Sequence, residues 1–160
     1  MTLDVSEDLV AFLRSRLDVD DIPVAFDVDD DIGLGKYNAS VAQPFVTPVS
    51  EDPVVPGGGQ TGYTALGADG PLQDQVWLVL VDCWGGAVDA SIYQDEDAHP
   101  DGVANVLGQL VARACREAAA AGAPDGYEWV NADPPQTAND DQRDPTHYRR
   151  QVTCRLKTTR

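Results

Sequence analysis

Asp27, Asp29, Asp30 and Asp31 place four carboxylates within five positions, a dense set of oxygen ligands. A calcium loop of the EF-hand type needs Gly at its sixth position for a sharp turn and Glu at its twelfth for bidentate ligation. Counted from Asp27, those positions hold Ile32 and Asn38. A solvated acidic turn is therefore expected here. His99 and His147 are the only histidines, and neither has a zinc-like partner spacing. Asp95, Glu96 and Asp97 could give His99 no more than a casual cation contact. No specific metal site and no cofactor are expected.

Two glycine-rich stretches, Gly33-Leu34-Gly35-Lys36 and Gly57-Gly58-Gly59, invite a phosphate-loop reading. That loop needs GxxxxGK followed by Ser or Thr, set between a buried strand and a helix. Gly35-Lys36 is followed by Tyr37, so nucleotide binding is not expected. No Gly-x-Ser-x-Gly elbow occurs, and no Cys/His/Asn set suggests a thiol nucleophile. Carboxylates are so abundant that any pair of them discriminates nothing. The expectation is a protein with no catalytic residues, not an enzyme. Cys83, Cys115 and Cys154 are odd in number and lack CxxC spacing, which argues for small buried residues in a reducing compartment.

The C-terminal dozen differs from the rest of the chain. Residues 149–160 hold Arg149, Arg150, Arg155, Lys157 and Arg160 and no acid, whereas the first 148 residues carry all 27 acids. Alternation puts Arg149 and Arg155 on one face of a strand. Guanidinium groups suit bidentate pairing with carboxylates. The preferred reading is a contact with the acidic surface of a neighbouring copy. A nucleic-acid contact and a solvated edge that discourages aggregation remain open. Trp77, Trp84 and Trp129 read most simply as core or core-edge residues. Trp84, beside Gly85-Gly86, could also anchor an interface. The interface candidates are thus Arg149, Arg150, Arg155, Lys157 and Trp84, with Tyr63 from a long loop.

The elements that must position these residues follow from periodicity. Leu9, Val10, Phe12, Leu13 and Leu17 form an apolar stripe, predicting a helix over 6–17 with Ser6 as its cap. Val24, Phe26 and Val28 alternate as a strand should. Residues 43–75 carry five prolines and six glycines. They read as a long loop, either linker-like or a partner-contacting arm, with 41–49 able to supply a strand before it. Residues 75–83 are a continuous apolar β run, expected of a central strand. Ala90 to Tyr93 could add a further strand. Pro100 opens a second helix, which Gly122 and Pro124 end. Strands are expected at 127–130 and 148–156, separated by a polar loop at 131–146. Arg150 interrupts the apolar alternation of the last strand. The sum is a single α+β domain over 1–160. It has two layers, with two helices on one face of a mainly antiparallel sheet.

The chain has 160 residues and a formal net charge of −16. Of its acids 22 are Asp, and only Lys36 and Lys157 are lysines. Such an excess repels itself in dilute buffer. At 1 M salt the screening length falls to about 3 Å, and the repulsion is largely removed. The Asp and Arg biases together resemble those of extreme halophiles. No basic-plus-apolar leader and no run of 18 apolar residues is present. The expectation is a chain made in the cytoplasm that does not cross a membrane by itself.

Taken in order, these features resemble the tail-terminator (tail-completion) proteins of long-tailed viruses. The resemblance runs through SEDLVAFLRSRL at 6–17 and QVWLVLVDCWGG at 75–86. It continues through GVANVLGQLVARACREAAA at 102–120, GYEWVNAD at 126–133 and PTHYRRQVTCRLKTT at 145–159. It implies a two-layer α+β fold and a ring, usually of six copies, that ends the tail tube and joins it to head connector and adaptor proteins. It implies DNA passing through the lumen without specific binding, a place in the neck of the virion, and no membrane partner. With the composition, it implies a virus of a salt-loving archaeon. Other neck or head-completion proteins, a tail-tube subunit and a small halophilic binding module are the alternatives.

Overall fold

The computed structural model describes residues 4–54, 75–87 and 99–158. These build an α+β fold around one antiparallel sheet of five strands. Helix α1 spans Val5–Arg16, and a one-turn helix α2 spans Val28–Asp31. Strand β1 is Phe45–Val54 and β2 is Gln75–Ala87. Helix α3 is Pro100–Ala121. Strands β3 (Tyr127–Ala132), β4 (Gln136–Thr137) and β5 (His147–Thr158) complete the chain. The sheet order is β1-β2-β5-β3, with β4 pairing beside β3 on β5.

Register assigns every side chain to one of two faces, because strand side chains alternate. Val79 lies opposite Cys154, and Val81 opposite Val152. These residues, with Val46, Val130 and Leu156, are buried against the helices. α3 packs across β2, β5 and β3, and α1 across β1. Leu9 and Leu13 of α1 and Val103, Leu107 and Val111 of α3 fill the seam, each essentially fully buried. Truncating one such Leu to Ala typically costs about 2–5 kcal/mol.

The helix ends show why each segment folds as it does. Asp4, not Ser6, caps α1, its Oδ1 accepting from Glu7 N at 2.9 Å. Ser6 lies inside the helix, and its N–H and hydroxyl both donate to Glu51 of β1, at 2.8 and 3.0 Å. α3 begins at Pro100, with His99 Nδ1 accepting from Asp101 N at 3.0 Å. It ends at Gly122, whose φ of 102° suits a residue without a Cβ.

Four expectations are corrected. The strand over Val24 to Val28 is not formed. The segment instead runs through a 3-10 turn at Val19–Asp21 and then enters α2. Asp27 accepts from Asp29 N at 2.9 Å, and this local capping competes with extended pairing. The four acids thus form a self-capped turn, and the adjoining Ile32 buries itself beside Val46. Both ends of the loop expected over 43–75 are strand, because 45–54 is β1 and Gln75 already belongs to β2, while the part over 55–74 lies outside the described residues. Prolines 48 and 53 are tolerated because β1 stands at the edge among the described strands and is bulged between Pro48 and Ser50. β2 does not stop at Cys83 but continues through Trp84, Gly85 and Gly86. Finally, the loop after β3 carries the short strand β4. The strand considered at 90–93 lies outside the described residues.

Candidate interface on the open sheet face

The second face of the sheet carries no described helix. Down β2 it presents Val76, Leu78, Leu80, Asp82 and Trp84. Opposite them on β5 stand Lys157, Arg155, Thr153, Gln151 and Arg149, in that order. Val76, Leu78 and Leu80 are only partly buried, so an apolar column lies beside a basic one.

One end of this face is closed by a polar–aromatic cluster. Asp82 is buried, its side chain 5% exposed. Its two oxygens accept from Arg149 Nη1 at 3.1 Å and Gln151 Nε2 at 2.9 Å. Arg149 also donates from Nε to the Ala138 carbonyl at 2.8 Å and lies over the Trp84 ring, 4.6 Å from its centre. Tyr37 stacks on Trp84 at 4.2 Å, nearly parallel. Its hydroxyl meets His147 Nδ1 at 3.1 Å. Burial raises the Tyr37 phenol to about 12, against a small opposing pull from Arg143. Burial also lowers His147, helped by the Arg143 cation and partly opposed by Asp140.

Gly85 and Gly86 make this end possible. A Cβ at Gly85 would sit 1.9 Å from the Pro100 carbonyl oxygen, where α3 begins. At Gly86, with φ of 103°, it would sit 2.1 Å from the Ala42 oxygen. The glycine pair is thus a crossing point for α3 and the 36–44 loop.

The candidate interface residues come out as follows. Arg149, Arg155 and Lys157 do share the open face, as alternation predicts. Arg150 points to the helix face, where Nη1 donates to Asp101 in the first turn of α3 at 2.8 Å. That contact is why it interrupts the apolar alternation. Each of the four cations is matched within the chain: Arg149 by Asp82, Arg150 by Asp101, Arg155 by Asp133 and Lys157 by Glu128. Its hydrogen bond to Asp133 raises the Arg155 guanidinium above its usual value. Trp84 is 6% exposed and makes its contacts inside the chain, in keeping with the core reading. Tyr63 lies outside the described residues.

The sequence reading missed Tyr37, Asp82 and His147 as a group. Asp82 carried a signal, being the one charge inside an otherwise apolar strand. Tyr37 and His147 are 110 residues apart and carried none. Among the described residues, no cluster of three or more His, Cys, Asp or Glu side chains could hold a metal. Among the same residues, no helix is long and apolar enough to cross a membrane.

In comparisons with known proteins, no protein-family model matches the chain and no curated protein matches it.

Proposed function

We propose that this chain is a structural subunit of a virion, assembling as a ring that ends a viral tail tube and joins it to the head connector. One observation supports this reading above others: among the described residues, helices cover one face of the sheet and leave the partly buried Val76, Leu78 and Leu80 along the other. Partly exposed apolar residues in register on a sheet face gain by docking, at roughly 25 cal/mol per Å² removed from water. The ion pairs beside them are partly exposed, and such pairs are weak and exchangeable. Arg155 and Lys157, whose partners Asp133 and Glu128 are half exposed, can therefore trade partners with a neighbouring copy at small cost, whereas the buried Arg149–Asp82 pair stays within the chain. A head-to-tail contact of this kind closes into a ring when its rotation divides a full turn. The acidic exterior keeps DNA from adhering in the lumen, an effect that molar salt weakens.

The test is mass in molar KCl by light scattering, with and without purified tail tubes. A ring of about six copies, or one that forms when tubes are added, is expected. Leu80→Asp should leave the far-ultraviolet circular dichroism unchanged and abolish the ring. A chain that remains monomeric with tubes, necks and connectors all present would remove the reading.

A further inference from the structure

Cys115 of α3 and Cys154 of β5 meet across the helix–sheet seam, with sulfurs 3.8 Å apart. Both are fully buried. Cys83 belongs to the same layer but is placed differently. The register partner of Cys154 on β2 is Val79, four residues from Cys83. That is about 13 Å of strand, whereas bridged cysteines have Cα atoms within about 7 Å. Register thus separates Cys83 from Cys154; Cys83 lies near enough to Cys115 for their charges to interact, but the sulfurs in contact are those of Cys115 and Cys154.

We infer that Cys115 and Cys154 are a latent disulfide, held as thiols in a reducing compartment and closed by an oxidant such as molecular oxygen or an azo compound. Closure needs the sulfurs to approach by about 1.8 Å, shared between two side chains that already face each other. Two S–H bonds break and one S–S bond forms. The two electrons and two protons reduce dioxygen to hydrogen peroxide, or the azo N=N bond to a hydrazine. The bond would tie α3 to β5 through cysteines 39 residues apart in the chain. A loop of that length restricts the unfolded chain enough to raise Tm by roughly 10 °C. The hydrogen bond shared with Cys115, then burial, keeps the Cys154 thiol protonated well above its usual range. Reaction is therefore slow and proceeds through local opening of the core. This inference does not depend on the ring reading.

The full chain, folded in molar KCl, is treated with diamide, alkylated and mapped by mass spectrometry without reduction. Exposure lasts until the β5 amides have exchanged with deuterium, which shows that the seam has opened. Expected are a loss of about two mass units, one peptide pair joining Cys115 to Cys154, and Cys83 alkylated after denaturation. Tm should rise and return on adding dithiothreitol. Cys83→Ala should oxidise as the parent does, and Cys115→Ala should show neither the mass change nor the Tm rise. A bridge that includes Cys83, a bridge between copies, or three alkylatable thiols after β5 exchange would each overturn the assignment.

Discussion

Asp82 is the residue on which the closed end of the open face depends. Its carboxylate is nearly inaccessible and is held by Arg149 and Gln151. Removing it leaves a guanidinium and an amide without their acceptor. Asp82→Ala should lower the unfolding free energy by about 2–4 kcal/mol, measured by urea titration in molar KCl. Replacing the pair together, as Asp82→Leu with Arg149→Met, should recover much of that loss, because no buried charge is then stranded. His147 sets a pH limit at the same place. Burial lowers its folded pKa, while the unfolded value is about 6.5. Below about pH 6.5 the unfolded chain takes up a proton that the folded chain refuses, so stability falls as pH drops from there toward the lowered value. His147→Asn keeps an acceptor for Tyr37 and should flatten that slope. An unchanged slope in thermal melts between pH 7 and 5 would assign it to the carboxylates instead.

Among the elements, β2 is the most constrained. Its two glycines admit α3 on one side and the 36–44 loop on the other. Gly85→Ala would drive a methyl into the backbone of Pro100, at 1.9 Å, with no flexible side chain to yield. Chemical denaturation should show a loss of about 3 kcal/mol or more, or no folding at all. Gly126→Ala provides the contrast: its φ of 87° costs strain, but nothing lies within 4 Å of the added methyl. That variant should lose only about 1 kcal/mol. If the two variants behaved alike, the close approach of α3 to β2 would be wrong. α1 is fixed by side chains as much as by packing. Arg14 donates twice to the Ile32 carbonyl, at 2.9 and 2.7 Å, and Tyr127 donates to Asp8 at 2.6 Å.

For the whole molecule, charge is the controlling quantity. A net charge of −16 on 160 residues makes compaction unfavourable in dilute buffer. Raising KCl from about 0.1 M to about 1 M cuts the screening length from about 10 Å to about 3 Å. The urea midpoint should therefore rise steeply over that range. The Arg149–Asp82 pair, whose carboxylate is buried, should weaken little. A midpoint that falls with salt would show that specific ion pairs outweigh the general repulsion.

The two helices, the central strand and the terminal strand were legible from residue order alone. Apolar spacing of 3.6 or 2, with Pro100 and Gly122 as boundaries, states which segments have a face to bury. The α+β class and the antiparallel sheet followed from the same pattern. The failures were local contests that periodicity cannot judge. Val24, Phe26 and Val28 alternate like a strand, but Asp27 caps a helical turn among them. β1 was half hidden because its prolines read as loop, and only an edge position makes them acceptable. The candidate site was legible as a basic strand and as one odd acid in β2, but not as a unit. Which carboxylate answers which arginine depends on strand register and on α3 crossing at Gly85, and both bring together residues far apart in the chain. Charge and periodicity are properties of residue order, whereas pairing and exposure belong to the packed sheet, where distance along the chain no longer measures distance in space.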